Sequence, residues 1–316
     1  KQSLDHNTTM HELFGHERPQ RLKELSAAGY VHGLTIHGNG QTHFCEVCAE
    51  TRAKKARFKS STSNRCTTAG GRIHSDLKEL EERSHGGMKW AICFIDDCTR
   101  YSKTYYLKKK SDAWLAFRRF IEEECEARDI VVCRLRIDGG TEYGKSGVCY
   151  TTYSEFKDYL RLKPQGVKIK VERSPSYCQS MNGASERYWQ PLFNLVRSIL
   201  RDQNRSKKMW TYACEIAQMI HNVEVTSAVT GTTPYIARHG EKPSIVSPNW
   251  IRPLSDAWAF VYKDMGRSTL DKVRKKYVFV GYSTESPCYR LFDPVTKKVV
   301  ERRYKDCHFP KHNATD

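Results

Sequence analysis

Three acidic residues stand where strand-like runs end or a helix-like run begins. They are Asp76 in Ile73-His74-Ser75-Asp76-Leu77, Asp138 in Leu135-Arg136-Ile137-Asp138-Gly139-Gly140, and Glu186 in Asn182-Gly183-Ala184-Ser185-Glu186-Arg187. Convergent carboxylates offer hard oxygen ligands that suit Mg2+ or Mn2+. Two such ions can clamp the attacking and leaving oxygens of an in-line displacement at phosphorus. A second set of residues has different chemistry. The spacing His11-x4-His16-x28-Cys45-x2-Cys48 suits one tetrahedral Zn2+, with two imidazoles from a short helical turn and two thiolates from a knuckle. His6 stands a similar distance before His11, so a His6/His11 pair is an alternative; His11 and His16 are preferred.

The balance of the chain favours a polyanionic partner. Its 316 residues carry 53 Lys and Arg against 36 Asp and Glu, a net charge of +17. The length suits about two or three domains and a real core. No apolar run approaches the ~18 residues of a membrane span, so no membrane partner is expected. No signal peptide is evident, and the start at Lys1 points to a fragment or processed product. The 12 cysteines are scattered, and only Cys45 and Cys48 form a close pair. Cys93, Cys125 and Cys133 fall at core-facing positions of apolar patterns, which points to thiols in a reducing compartment rather than a disulfide framework.

The elements that must position these groups fall into five segments. Residues 1–50 form a zinc-binding amino-terminal domain, with a helix over Arg21–Ala28 that turns Leu22 and Leu25 to one face. Metal would supply much of the folding energy of so short a segment. Residues 51–72 read as a basic linker. Residues 73–203 read as one α/β domain. Strands are expected at Trp90–Ile95 and Ser102–Leu107, and Ser111 is expected to cap a helix with the stripe Trp114, Phe117, Ile121 and Cys125. Val131, Cys133, Leu135 and Ile137 alternate with Arg134 and Arg136, a half-buried strand that delivers Asp138 to its carboxyl end. Residues 154–162 are helix-like, and Val167, Ile169 and Val171 make another strand. A helix follows with Leu192, Leu195, Val196, Ile199 and Leu200 on one face and Glu186 on the flank. Residues 204–260 form a helical extension (Trp210–Val223) and a Pro-containing connector (Thr233–Pro253). Residues 261–316 form a small basic β unit with strands at 277–281, 289–292 and 299–304; residues 261–307 hold twelve Lys and Arg against six Asp and Glu.

Several motifs recur in a fixed order: Gly15-His16, Cys45-Glu46-Val47-Cys48, Ile73-His74-Ser75-Asp76, and Phe94-Ile95-Asp96-Asp97-Cys98-Thr99-Arg100-Tyr101. Asp138-Gly139-Gly140-Thr141-Glu142-Tyr143, Asn182-Gly183 with Glu186-Arg187, and Thr233-Pro234-Tyr235 follow. Val278-Phe279-Val280-Gly281-Tyr282 and Tyr289-Arg290-Leu291-Phe292-Asp293-Pro294 complete the series. This colinear set resembles the integrase of copia-type (pseudovirus) LTR retrotransposons over nearly the whole chain. The resemblance implies an RNase H-like catalytic core, with Asp76, Asp138 and Glu186 holding Mg2+ or Mn2+. It also implies the His11, His16, Cys45, Cys48 zinc domain ahead of the core and the basic β unit behind it. Asp96, Asp97 and Glu142 would be motif residues outside the triad. The implied function is a polynucleotidyl transferase that joins element cDNA 3′ ends to target DNA. The partners implied are double-stranded DNA and further copies of the chain, in the nucleus after a cytoplasmic particle stage. The chain departs from the family at Gly139, where Asn is usual, and at Ser176-Tyr177-Cys178-Gln179-Ser180-Met181, where a Pro- and Gln-rich run is usual. Two alternatives follow: a decayed or domesticated DNA-binding protein, or a nuclease that only hydrolyses.

Overall fold

The structure, a computed structural model, describes residues 2–51, 65–137, 159, 169–173, 183–226, 229, 231–243, 251–262, 267–283 and 285–310. The chain divides into two compact units, one of residues 1–53, 194–224 and 242–316, the other of residues 54–193 and 225–241. Among the described residues no helix is long and apolar enough to cross a membrane.

The second unit is α/β. Its sheet comprises β1 (Ile73–Glu79), β2 (Trp90–Asp96), β3 (Ser102–Leu107), β4 (Arg134–Ile137) and β5 (Lys170–Arg173), in the order β3-β2-β1-β4-β5. The first three strands are antiparallel neighbours, and β4 and β5 run parallel to β1. Thus β1 lies at the centre of a mixed sheet. Strand side chains alternate between faces. Ile73 and Leu77 of β1 join Ile92, Phe94, Leu135 and Ile137 in one apolar cluster with Trp114, Phe117 and Phe120 of α4 (Ala113–Phe120). His74 and Asp76 therefore face the other side.

The helical stripe Trp114, Phe117, Ile121 and Cys125 is buried as expected, with its last two residues in a π-helical turn, Ile121–Cys125. Ser111 does not cap α4. It lies in a single 3-10 turn, Lys110–Asp112, and the Asp112 carboxylate accepts the Lys109 N–H instead. The alternation before Asp138 also starts later than the pattern suggests. Leu135 and Ile137 are buried, but Val131 and Cys133 are exposed and Val132 takes the buried place. The ladder begins only at Arg134, so the preceding residues need not keep the pleat; the Cys133 N–H goes to Gly70 O. Gly70 has φ +78, and a Cβ there would lie 2.4 Å from Val131 O, so only glycine allows this approach. The helix expected over 154–162 lies outside the described residues except for Tyr159, as do Val167, the 176–181 run and residues 52–64. Within the connector a short helix, α7 (Pro234–His239), starts on the Thr233 side chain, which accepts the Ile236 N–H, and stops at Gly240 with φ 73.

The first unit contains α1 (Gln2–Leu13), α2 (Pro19–Ala27) and α3 (Glu46–Thr51). It also holds the second half of α5 (Gly183–Asp202), α6 (Trp210–Val223) and an antiparallel sheet. Leu22 and Leu25 of α2 are fully buried, as their spacing predicts. Asn7 ties the loop before α3 to α1: its amide donates to His37 O and Gln41 O, and its oxygen accepts the His37 N–H. The sheet has β6 (Asp256–Phe260), β7 (Arg274–Tyr282), β8 (Cys288–Phe292), β9 (Val299–Arg303) and β10 (Cys307–His308), in the order β10-β6-β7-β8-β9. Ala257, Ala259, Tyr277, Phe279, Tyr289 and Leu291 fill its interior. Strands β6 and β10 have no counterpart in the sequence reading.

Candidate metal centre and carboxylate face

Two left-handed residues shape the first site. After α1 the chain passes through Gly15 (φ 61) and His16 (φ 64), and the His16 N–H returns to His11 O at 2.8 Å. Positive φ is costly for a histidine, and such strain is held where the surroundings over-determine it. The turn sets the two imidazoles at a ring distance of 5.0 Å, almost perpendicular. Cys45 immediately precedes α3 and Cys48 lies on it. One donor atom from each of His11, His16, Cys45 and Cys48 lies within 4.8 Å of the others. His11 Nε2 is 3.3 Å from Cys48 Sγ, and His16 Nδ1 is 3.1 Å from Cys45 Sγ. His6 is not part of the group; its Nε2 meets Thr35 O and Oγ1.

The far nitrogens of both rings are also engaged. His11 Nδ1 lies 2.6 Å from Glu17 O, which leaves Nε2 turned to the thiols. His16 Nε2 lies 3.4 Å from Asp202 Oδ1 at the end of α5. Arg252 grips Asp202 through Nε to Oδ2 at 2.7 Å and through Nη2 to Oδ1. Burial raises the Asp202 carboxyl, but the nearby His16 and Arg252 outweigh it and hold the group down at about 2. A soft two-thiolate, two-imidazole set, with both rings buried and both thiols half-buried, is the donor chemistry of a structural zinc ion.

The second site lies on the face of the sheet away from α4. Asp76 Oδ1 accepts the Leu77 N–H at 2.9 Å, and Asp76 Oδ2 accepts the indole N–H of Trp189 at 3.0 Å. Trp189 belongs to α5 and is stacked on Phe193 at 5.5 Å. The neighbouring residue Tyr188 anchors the same helix to β3, its hydroxyl 3.0 Å from Thr104 Oγ1. Cys93, paired in register with Asp76, is fully buried. Burial first, and then the charge of Asp76, push its thiol well up, so it stays neutral.

A charged row crosses the sheet one pleat before Asp76. His74, Arg136 and Glu172 stand abreast on β1, β4 and β5. Arg136 donates to Glu172 at 2.7 Å, Arg72 joins Glu172 at 3.2 Å, and His74 and Arg100 meet Asp97 at 3.2 and 3.3 Å. Burial raises the Asp97 carboxyl, but hydrogen bonds from His74 and the Cys66 N–H, with the Arg100 charge, hold it well below the usual carboxylate range.

Asp96 serves the scaffold. Its Oδ1 accepts the Cys98 and Thr99 N–H groups, closing the β2–β3 turn, and its Oδ2 takes Gly70 N–H at 2.7 Å and Arg238 Nη1 at 3.1 Å. These partners tie Asp96 and Asp97 to the turn and to neighbouring cations. Of the expected triad, the structure describes the side chain of Asp76 alone. Asp138 and Glu142 lie outside the described residues, and Glu186 is placed by its backbone in α5, its side chain outside them. Sequence reasoning missed Trp189, Asp202, Arg238 and Arg252. Trp189 was within reach, because it stands three residues after Glu186 and so shares its side of the helix.

Comparison with known proteins bears out the family resemblance read from the motifs. Residues 255–315 match the retroviral polymerase SH3-like domain. The chain is a relative of the retrovirus-related Pol polyproteins of plant transposons. It is 28% identical over 307 residues, 93% of its length, to the Pol polyprotein from transposon TNT 1-94 of Nicotiana tabacum. It is 22% and 24% identical, each over 94% of its length, to those from transposons RE1 and RE2 of Arabidopsis thaliana. The chain spans about a fifth of these relatives, 21% of the first and 19% of the others. Among solved structures, the simian T-cell lymphotropic virus intasome in complex with PP2A regulatory subunit B56 gamma aligns with a TM-score of 0.45 at 13% identity, covering 92% of this chain and 98% of that chain. The HTLV-2 integrase catalytic core domain in complex with magnesium aligns with a TM-score of 0.38 at 15% identity, covering 54% and 97%.

Proposed function

We propose that the chain is a retrotransposon integrase, a polynucleotidyl transferase that joins element cDNA 3′ ends to target DNA. One observation carries the reading: Trp189, one helical turn beyond Glu186, donates to Asp76 at 3.0 Å. The helix bearing one proposed carboxylate is thereby fastened to the strand bearing another. Strand β4, parallel and adjacent to β1, ends at Ile137, the residue before the third. This order of elements is the one an RNase H-like core requires.

The Asp76 carboxylate fits a hard divalent cation, because it offers oxygen donors held in place by the Leu77 and Trp189 N–H groups. Mg2+ or Mn2+ held by Asp76, Asp138 and Glu186 would activate the attacking oxygen and stabilise the leaving 3′-oxygen. The chain itself orients the carboxylate through Leu77 and Trp189. Its excess of Lys and Arg neutralises phosphates largely without reading bases. His11, His16, Cys45 and Cys48 would hold Zn2+ and so fold the amino-terminal segment. The chain would act on duplex DNA as a homo-oligomer in the nucleus, after a stage in a cytoplasmic particle.

The test is a joining assay with recessed 3′ ends in Mg2+ or Mn2+. The reading expects joined product from the unmodified chain and none from Asp76→Asn, with DNA affinity kept. Cutting without joining would favour a hydrolytic nuclease, and binding without chemistry would favour a DNA-binding derivative.

A further inference from the structure

The outer face of the His/Cys cluster is unsymmetrical. Behind His11 stands a neutral backbone carbonyl, Glu17 O. Behind His16 stands a carboxylate, and the His16 and Asp202 side chains are 2% and 7% exposed. A ring that ligates a metal through Nδ1 carries its proton on Nε2, so it needs an acceptor there. Such acceptors fix the tautomer and raise ligand basicity. Asp202 Oδ1 stands 3.4 Å from that nitrogen, long for a hydrogen bond and within ion-pair reach.

Asp202 is itself held in place. Arg252 binds both of its oxygens and also meets Glu12 Oε2 of α1 at 3.3 Å. Next to it, Arg205 donates to Leu254 O at 2.9 Å and to Asp256 of β6 at 2.7 Å. One carboxylate therefore stands between the His/Cys cluster, the end of α5 and the segment that opens the SH3-like sheet. All of these residues belong to one compact unit.

We propose that Asp202 is the outer-sphere carboxylate of the zinc centre: it sets His16 as an Nδ1 ligand and couples metal occupancy to the end of α5 and the 251–256 segment. The proposal rests on reading the His/Cys cluster as a zinc site. Asp202 is a positioning residue that touches the metal only through His16. Arg252 keeps the carboxylate aimed, so it matters less to the metal than Asp202 does.

The test uses the full chain with zinc as the probe. Zinc affinity is measured by chelator competition for the unmodified protein and for Asp202→Ala, Asp202→Asn, Arg252→Ala and Cys48→Ser. Two-dimensional 1H–15N spectra of the histidine rings report which nitrogen binds. Hydrogen exchange with and without zinc reports on residues 194–202 and 251–256. The expected results are a loss of about 10- to 100-fold in affinity for Asp202→Ala and smaller losses for Asp202→Asn and Arg252→Ala. In the unmodified protein His16 binds through Nδ1 and His11 through Nε2, and zinc removal lowers protection in both segments. Asp202→Ala weakens that response even when saturated with zinc. A purely structural role would leave ring assignment at saturation unmoved. Unmodified affinity and ring assignment in Asp202→Ala would overturn the proposal, and should that variant not fold, the same result in Asp202→Asn does so. An unmodified chain that holds no more zinc than Cys48→Ser would instead overturn the zinc reading itself.

Discussion

The His/Cys cluster and the carboxylate face are assembled in different ways. Four residues between His11 and Cys48 bring their donor atoms within 4.8 Å, using one left-handed turn and one short helix. The carboxylate face instead depends on long-range order: a central strand, its parallel neighbour and a helix more than a hundred residues away in sequence, whose Trp189 indole reaches Asp76. A local cluster of soft donors can be organised by its metal, because the binding energy becomes folding energy. A face built on a packed sheet is organised before any cation arrives. Metal removal should therefore collapse the first region and leave the second standing.

The largest expected effect tests that contrast directly. Cys48→Ser removes one of two thiolates, and structural zinc contributes on the order of 10–16 kcal/mol to small zinc-dependent folds. The variant should lose its zinc by metal analysis and lose exchange protection over 2–51, while β1–β3 keep theirs. Equal loss of protection in β1–β3 would erase the distinction.

Next comes the scaffold beneath the carboxylate face. Arg238 and Asp96 form an ion pair with side chains 0% and 1% exposed, and Arg238 also donates to Glu124 O at 2.7 Å. Breaking such a pair from one side costs about 3–5 kcal/mol. Arg238→Ala should lower stability against urea by that order, with zinc content unchanged. A loss below about 1 kcal/mol would show that the turn amides alone satisfy Asp96.

A smaller effect concerns pH and the unit that holds the His/Cys cluster. Burial, then the nearby Arg21 charge, push the half-buried His221 of α6 down to about 4. The unfolded chain binds its proton near pH 6.5 and the folded chain does not, so stability contributed at neutral pH is lost as pH falls from about 6.5 toward 4. His221→Gln should flatten this part of the stability profile relative to the unmodified protein. Parallel profiles for the two proteins would rule His221 out as the source. The smallest effect is Trp189→Phe, which keeps the ring but removes one charge-assisted hydrogen bond, worth about 1.5–3 kcal/mol at most. It should raise the cation concentration needed for joining without altering zinc content, and an unchanged cation dependence would detach Trp189 from the site.

Much of this organisation was legible because local pattern and tertiary need agreed. Trp210–Val223 and the strands of Trp90–Leu107 carry strong periodicity, and the structure returns them with nearly the same limits. Strand β6 was missed because its pattern is inverted: Ala257 and Ala259 point inward, while Trp258 and Phe260 are only half-buried. Small residues inside and aromatics outside do not read as a half-buried strand. The short helix α7 was read as connector although Thr233 and Pro234 carry a start signal, because only six residues follow it. In the sites, ligand types and spacing announced the His/Cys group. Asp202 and Arg252 had no such signal, being fifty residues apart with no shared periodicity, and only the fold brings them together.

Metal-dependent DNA joining at the carboxylate face is the activity proposed for this chain. The most direct measurement is strand transfer of a recessed 3′ end into duplex DNA in Mg2+ and Mn2+, run beside Asp76→Asn with DNA affinity measured on both. Joined product is expected from the unmodified chain only, with equal or slightly tighter DNA binding by the variant, since removing a negative charge lowers repulsion of phosphates. Joining by Asp76→Asn at the unmodified rate, or DNA binding with neither cutting nor joining by the unmodified chain, would contradict it.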